Sequence, residues 1–484
     1  MKERTYYPLT AGQMILLFSQ KYSTKKQINN VCATVNILNE VDHKLLYQAI
    51  YMAAMRFPSI NCRFTAQGKE TVQYFEDCLP ENISLVDFSD ASEKDIQSAI
   101  DKWGATPFPN NCQDVPLYRI RILQMPGGKL TLYFCICHLI MDAYAIMNFI
   151  KYTEQVYGAL LRHTPIPEIK STPIECYKGE QEYFASDRYK RDQAFWKEYL
   201  QTEPAFTSIN GKDSKEFDKG KKTGVSLRLY QVTADHINLR IPADTVTAVQ
   251  NLCMSHRYSP QCAYMLAVRS YLGAVSGTDD VTLMNTVARR ATIVQKHAGG
   301  TMVNAIPFRT IIPGSTSFLD AINQLYATQR ELYRHADIPC AETMDAFNKF
   351  NRKDGIICHS YYSTSMTFQP YFSSNGGDLE YTFKREKNGA ATMPLYLSIM
   401  PYDSTGDLWV NYEYIVGYIK PDSIHKLHAF MEWLGHHNKG SGRPTNSLKG
   451  GFLCSVSRLL FGWAFCNFPS HGQRTLLDWD IQPG

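Results

Sequence analysis

The chain has 484 residues and a mass of 55.2 kDa, enough for three average domains or two large lobes. Hydrophobic residues make up 44% of the chain and charged residues 20%, a balance that excludes an intrinsically disordered protein. The formal net charge is only +4 over this length, so we expect no clustered basic face and no nucleic-acid partner.

The thirteen cysteines do not have the spacing of a zinc site or of a disulfide scaffold. No two of them form a Cys-x-x-Cys pair, and Cys135 and Cys137 are only two positions apart. The N-terminus also lacks the apolar core of an export signal, so we expect reduced thiols, a cytoplasmic location and no bound metal. The apolar segment 451–468 is interrupted by Arg458 and is too short to predict a membrane span, so membrane contact is not expected.

The first part of the chain mixes strand and helix patterns. Apolar periodicity predicts, in chain order, helix Ala11–Ser19, strand Val31–Leu38, helix Val41–Phe57 and the strands Leu117–Leu123 and Leu130–Cys137. A turn rich in glycine and proline predicts that the last two strands form a hairpin. After Asp142 the apolar period changes from two residues to about 3.6, which predicts a helix.

The second part of the chain begins again with a strand pattern. The predicted elements are strand Ile237–Ile241, helices Asp244–His256 and Gln261–Val275, strands Val281–Ala288, Ile306–Ile312, Ser360–Phe368, Leu395–Met400 and Leu408–Tyr414, and helix Pro421–Leu434. This mixture of helices and strands predicts an α/β (α+β) fold.

The polar residues from about 162 to 225 predict a crossover between two lobes, with a short helix around Asp192–Leu200 packed within the crossover. We therefore divide the chain into an N-terminal lobe (1–165), a crossover region (166–225), a C-terminal lobe (226–436) and a linker with an apolar tail of unknown role (437–484).

One segment places a proton-transfer residue at the end of a strand. His138 follows the strand Leu130–Cys137, where a side chain can reach a cleft, and an imidazole with an ordinary pKa of about 6.5 can act as a general base. Asp142 stands just before the next helix and can cap it. On these residues alone, a structural histidine and a simple helix cap are the more common interpretation.

The segment from Cys137 to Ala143 resembles the His-His-x-x-x-Asp-Gly signature of the condensation domains of nonribosomal peptide synthetases, in the chloramphenicol acetyltransferase-like superfamily. Other family motifs have similar counterparts in the same order: Tyr7–Gln13, Arg56–Arg63, Val287–Arg290, Gly300–Arg309, His335–Pro339 and Leu408–Tyr414. The resemblance covers about residues 5–435.

The resemblance implies two chloramphenicol-acetyltransferase-like lobes that form a V-shaped pseudo-dimer with a central tunnel. It implies that His138 is catalytic, either as a general base or by positioning the nucleophile. It also implies that Asp142 is structural and pairs with an arginine, for which Arg290 is the best candidate and Arg289 the second. Such a pair would hold the loop that presents His138.

Two positions depart from the signature: Cys137 replaces the first histidine and Ala143 replaces the closing glycine. Neighbouring strand side chains point to opposite faces, so a nucleophilic Cys137 acting beside His138 is not favoured. Ala143 adds a methyl group where glycine allows close backbone approach, which would tighten the site. Both changes are also expected of a copy that has lost catalysis.

The resemblance points to polar residues that could line the substrate tunnel: Ser363, Ser365, Gln369 and Asn304. For Asn304, shaping a loop is the simpler interpretation. Likewise, the tyrosines at 361, 362 and 371 are expected in the core or the tunnel wall.

By resemblance, we expect a free-standing acyltransferase that moves an acyl or aminoacyl group from a thioester to an amine. The alternatives are an ester-forming O-acyltransferase and a degenerate platform that binds carrier proteins or a tailoring enzyme. No bound cofactor is expected, because the substrates would arrive as phosphopantetheine or CoA thioesters. A carrier protein or acyl-CoA would supply the donor in trans, and the acceptor would be a small molecule or carrier-bound.

Overall fold

The computed structural model describes residues 4–76, 78–222, 232–351, 363–369, 377–401 and 406–437. Helices and sheets are mixed along this part of the chain, which confirms the α/β (α+β) class. The predicted tyrosine cluster at 361, 362 and 371 and the residues from 438 onward lie outside the described residues.

The strand that ends at His138 lies at the centre of a five-stranded sheet. Its strands are, in spatial order, Tyr381–Glu386, Asn30–Ile37, Leu130–Cys137, Tyr118–Gln124 and Ile83–Asp87. The predicted hairpin is confirmed, since Tyr118–Gln124 and Leu130–Cys137 pair antiparallel.

Helices cover both faces of the central strand Leu130–Cys137. On one face, Phe134 makes an edge-to-face contact with Phe149 of the helix Ala143–Leu161. On the other, Tyr133 packs against Trp103 of the helix Glu93–Gly104. Every residue of this strand is therefore buried, which explains its nearly continuous apolar sequence.

A second, six-stranded sheet forms the other core. Its strands are, in spatial order, Asn304–Ile311, Asp280–Val287, Thr364–Phe368, Leu395–Pro401, Leu408–Ile415 and Ala234–Ile241. The helix Pro260–Ser276 is almost wholly buried against this sheet, because apolar side chains occupy nearly all of its faces.

A small third sheet and several further elements complete the described part of the chain. The small sheet contains Tyr6–Tyr7, Glu70–Phe75 and Cys62–Gln67. The other helices are Ala11–Tyr22, His43–Arg56, Pro173–Phe184, Asp187–Tyr199, Lys215–Lys222, Ala243–His256, Ile293–His297, Phe318–Arg334, Cys340–Asn351 and Pro421–His437, with 3₁₀ turns at Pro58–Asn61, Pro109–Cys112 and Pro126–Gly128.

The helix Asp187–Tyr199 packs on the second core. Its Trp196 is 1% exposed among the residues of that core, and the indole Nε1 donates a hydrogen bond to the carbonyl of His335 at 2.8 Å. The helix also contacts the crossover helix Pro173–Phe184, since the Tyr183 hydroxyl donates to Asp192 at 2.8 Å, so the predicted packing within the crossover is confirmed in part and the contact with the second core was not predicted. Several aromatic side chains of this helix, Tyr189, Phe195 and Tyr199 besides Trp196, pack on the second core, which buries more apolar surface than the polar crossover can.

One strand connects the two halves of the molecule. Tyr381–Glu386, which we call the crossing strand, belongs to the sequence range predicted as the C-terminal lobe, but it pairs antiparallel with Asn30–Ile37 in the first sheet. The later half of the sequence therefore contributes this strand to the first sheet. The predicted lobe boundaries themselves stay a prediction.

Candidate active site

The backbone of His138 is held on both sides at the point where its strand ends. Its amide donates to the carbonyl of Asn29 at 2.7 Å, and its carbonyl accepts a hydrogen bond from the hydroxyl of Thr301. Four residues later, Asp142 Oδ1 caps the helix Ala143–Leu161 by accepting from the amide of Ala145 at 2.9 Å. These contacts fix the direction in which the His138 side chain leaves the strand.

The His138 side chain lines a cavity of about 360 Å³, a volume within the range of small-molecule sites. Both sheets and the helix Ala11–Tyr22 contribute to its wall, which is mainly apolar. Among the lining residues are Leu16, Val31, Ala143, Met284, Asn304, Ser365, Gln369, Arg385, Met393 and Glu413.

Burial lowers the pKa of His138 below its usual value, and the charge of Arg385 lowers it further, while Asp142 opposes the shift. The imidazole is therefore neutral near pH 7 and able to accept a proton. Its Nδ1 is buried and has no hydrogen-bond partner among the described residues. Because Nδ1 itself is inaccessible, only the remainder of the ring can face the cavity and meet a substrate.

Asp142 and Arg290 form a buried ion pair beside His138. Arg290 Nη2 donates to both carboxylate oxygens of Asp142, at 2.9 and 3.0 Å, and the two side chains are 4% and 1% exposed, respectively. The aspartate thus caps the helix and neutralises the arginine at the same time.

This pair also fixes the loop that faces His138 from the other half of the chain. Asp142 Oδ2 accepts from the amides of Met302 and Val303, at 2.9 and 3.1 Å. Arg290 donates to the carbonyls of Ala298 and Gly300, at 2.7 and 3.1 Å. Because this loop carries Thr301, which bonds the His138 carbonyl, the ion pair and the histidine belong to one connected network.

Arg289, the second candidate partner, does not contact Asp142. Its backbone has a φ of 50°, and its side chain instead pairs with Glu180 at 3.0 Å and Asp337 at 3.3 Å. Glu180 also accepts a hydrogen bond from the amide of Ala11 at 2.9 Å. Arg289 therefore anchors the start of the helix Ala11–Tyr22, which forms one wall of the cavity.

Cys137 and Ala143, the two departures from the signature, differ in position. Cys137 is fully buried, and burial together with the neighbouring Cys112 raises the pKa of its thiol. A protonated thiol outside the cavity wall is not an available nucleophile. Ala143 does line the cavity, next to His138.

Of the four polar residues predicted to line the tunnel, three line the cavity and one does not. Ser365 and Gln369 line the cavity, and Ser365 Oγ donates to the carbonyl of Met284 at 3.1 Å. Ser363 is not a lining residue, because its hydroxyl donates to the carbonyl of Thr207. Asn304 lines the cavity while its amide group binds the backbone of the loop 336–340, through Ala336, Ile338 and Cys340.

Sequence reasoning missed the amides of Met302 and Val303, which have no side-chain signature, and the charged cavity residues Arg385 and Glu413.

The described ranges contain no group of three or more His, Cys, Asp or Glu residues able to hold a metal ion. Within the same ranges, no helix combines the length and apolarity needed to cross a membrane.

Comparisons with known proteins bear on the family and the fold. The family model described as "Condensation domain" matches residues 3–426. Surfactin synthase subunit 1 of Bacillus subtilis (strain 168) is 21% identical over 431 residues, and chondramide synthase cmdD of Chondromyces crocatus is 22% identical over 339 residues. These alignments cover 88% and 69% of this chain but only 12% and 8% of the respective relatives.

Solved condensation domains have the same fold. The first condensation domain of the calcium-dependent antibiotic synthetase, in complex with a substrate analogue, superposes with a TM-score of 0.75 at 17% identity, covering 90% of this chain and 96% of that one. A mutant starter condensation domain of rhizomide synthetase in complex with C8-CoA gives a TM-score of 0.73 at 18% identity, with coverages of 89% and 95%. The predicted two-lobed, chloramphenicol-acetyltransferase-like fold is confirmed.

Proposed function

Since this chain belongs to the condensation-domain family of acyltransferases, we propose that it transfers an acyl or aminoacyl group from a CoA or carrier-protein thioester to an amine. The observation that carries the proposal is the imidazole of His138, whose pKa is lowered by burial and which lines a cavity between the two sheets. A degenerate platform would have no need of this arrangement.

In the proposed reaction, the acceptor amine attacks the thioester carbonyl and His138 takes the proton that the amine loses. The C–N bond forms, the C–S bond breaks, and the proton passes from His138 to the departing thiolate. General-base catalysis of this kind contributes about 10²–10⁴-fold to a rate. His138 can alternatively act by orienting the amine, and the pH dependence of the reaction separates the two roles.

The ion pair between Asp142 and Arg290 is proposed to position His138 and to take no part in proton transfer. Both side chains are nearly inaccessible, and their hydrogen bonds go to the helix start and to the loop 298–303. A fixed base near the reacting atoms lowers the entropic cost of the transition state.

Thioester donors fit the cavity, which is apolar along much of its wall and can receive an acyl chain. The structural relative bound to C8-CoA supports a CoA or carrier-protein thioester as the donor for this chain too. We propose that donor and acceptor are both supplied in trans, and that no metal or redox cofactor takes part.

The test is an intact-mass assay with acyl-CoA and acyl-carrier donors and a mixture of amines and alcohols. We expect an acylated amine in the wild type and none with His138→Ala. An acylated alcohol would instead indicate the ester-forming alternative. A product that forms equally in both proteins would refute the proposed site, and carrier-protein binding without any product would favour the platform.

A further inference from the structure

The cavity contains one ion pair that the proposed transfer does not use. Two of the described residues that line it carry a charge. Arg385 lies on the crossing strand, and Glu413 lies on the strand Leu408–Ile415 of the second sheet. Arg385 Nη2 lies 3.1 Å from Glu413 Oε2, and the two side chains are 25% and 17% exposed. Since both line the cavity, at least part of that remaining exposure faces its interior.

The guanidinium of Arg385 is held in a fixed orientation. Its Nη1 donates to the hydroxyl of Ser398 at 3.1 Å, Glu413 holds its Nη2, and its Cζ lies 5.5 Å from the centre of the Tyr396 ring. A guanidinium fixed in this way is pre-organised, so it loses little side-chain entropy when it binds a planar anion. Its fork matches a planar carboxylate, and it can also match a phosphate.

The Arg385–Glu413 pair lies in the same cavity as His138, and this location bears on which acceptor the cavity can bind. Arg385 is close enough to His138 for its charge to lower the pKa of the imidazole. A neutral acyl chain gains nothing from a guanidinium in a mainly apolar wall, and the desolvation of an ion pair is costly without a charged ligand. A zwitterion, in contrast, complements a cation and an anion placed side by side.

We propose that the acceptor is a small amine that carries a free carboxylate, as a free amino acid does, and that Arg385 binds this carboxylate. Glu413 then sets the orientation of the guanidinium and disfavours anions that lack an amino group. This inference rests on the proposed acyl transfer and narrows its acceptor from amines in general to carboxylate-bearing ones. A carrier-bound aminoacyl thioester has no such carboxylate.

The experiment compares each of several amino acids, such as alanine, leucine and phenylalanine, with its carboxamide as acceptor in the same transfer assay. We expect the wild type to prefer the free acid by about tenfold or more in kcat/KM, the value of a charge-assisted hydrogen bond. Arg385→Met should remove this preference, mainly through KM for the acid, while Arg385→Lys should retain part of it. A wild type that prefers the amide, or an Arg385→Met variant that keeps the preference, would overturn the proposal.

The matched control is Arg162→Met, which removes an ion-paired arginine from the helix end Leu161–Arg162, outside the cavity, and should leave the acid-to-amide ratio unchanged. A merely structural Arg385 would lower both rates together and keep the ratio. If Arg385→Met does not fold, Arg385→Lys serves as the test. A partial loss of the preference for the acid supports the proposal, and a fully kept preference refutes it.

Calorimetric binding of the amino acid and of its amide, without any donor, separates this inference from the proposed function. Binding of the acid that is stronger than binding of the amide and is lost in Arg385→Met supports the carboxylate site even if no transfer is found. Equal binding of acid and amide, or no binding of either, refutes it.

Discussion

At the scale of single residues, His138 and Asp142 have opposite relations to their surroundings. The side chain of His138 lines the cavity, whereas both carboxylate oxygens of Asp142 accept several hydrogen bonds from the protein. A fully satisfied, inaccessible group is suited to hold a structure, and a side chain in a cavity wall is suited to meet a substrate. Their roles in the proposed mechanism follow from this difference.

The lowered pKa of His138 makes a prediction for the pH dependence of the rate. A general base works only when it is neutral, so kcat/KM should fall as the pH falls through the pKa of the folded protein. Because burial lowers that pKa, the acid limb of the profile should have its midpoint below the ordinary value of about 6.5. Initial rates between pH 4 and 8, divided by the fraction of the acceptor amine that is unprotonated at each pH, measure it. A midpoint above the ordinary value would contradict the assigned environment, and a flat profile would favour the positioning role.

Arg290→Ala should destabilise the protein strongly, because it leaves Asp142 charged and without its counter-ion in a nearly inaccessible place. Breaking a buried pair in this way costs about 3–5 kcal/mol. Denaturant unfolding measures the loss, and the rate at a temperature where the variant is folded should fall as well. Arg162→Ala, which removes a largely exposed arginine from its pair with Asp378, is the control and should change the unfolding midpoint little. Equal losses of stability in the two variants would show that the buried pair contributes no more to stability than the exposed one.

Sequence reasoning reached these residues to different degrees. The resemblance identified His138, Asp142 and Arg290, and it ranked Arg290 above Arg289 as the partner of Asp142. The roles of the Met302 and Val303 amides could not be predicted, since every residue except proline has a backbone N–H and its partner depends on the fold.

At the scale of elements, local periodicity predicted the central hairpin and the helix that follows it, but the helix Glu93–Gly104 on the other face was missed. The crossing strand Tyr381–Glu386 was missed, because its partner, Asn30–Ile37, is far away in the sequence and its own pattern mixes charged with aromatic residues. The helix Phe318–Arg334 was also missed, although Ile322, Leu325, Gln329 and Leu332 mark a buried face at helical spacing. Pairing between distant segments has no local signal, whereas that helix did have one.

The helix Asp187–Tyr199 gives a prediction at this scale. Trp196 joins it to the second core, so Trp196→Ala should destabilise the protein by about 3–5 kcal/mol through the cavity that it leaves and the lost bond to the His335 carbonyl. Chemical denaturation of the variant measures this value. Leu161→Ala, at an exposed helix end, serves as the control and should cost about 0.5 kcal/mol or less. A small loss of stability with Trp196→Ala would show that the helix does not depend on its contact with the second core.

At the scale of the whole molecule, the cavity lies where two sheets with separate cores meet and the crossing strand joins the first sheet. The first sheet supplies His138 at the end of a fully buried strand, and the second supplies the loop 298–303 and Glu413. Neither half alone contains both the proposed base and the contacts that position it. The resemblance predicted a tunnel between two lobes. The pairing of the crossing strand, and with it the position of Arg385 in the cavity, could be seen only in the structure.

The most direct test of the central claim is the rate of amide formation by His138→Ala relative to His163→Ala, measured with one donor and one acceptor under identical conditions. His163 lies in an exposed turn after the helix Ala143–Leu161, so it provides a matched loss of an imidazole away from the cavity. We predict a loss of about 10²–10⁴-fold for His138→Ala and a rate close to wild type for His163→Ala. A His138→Ala variant that keeps the wild-type rate, with unchanged unfolding, would contradict the assignment of His138 as the catalytic residue.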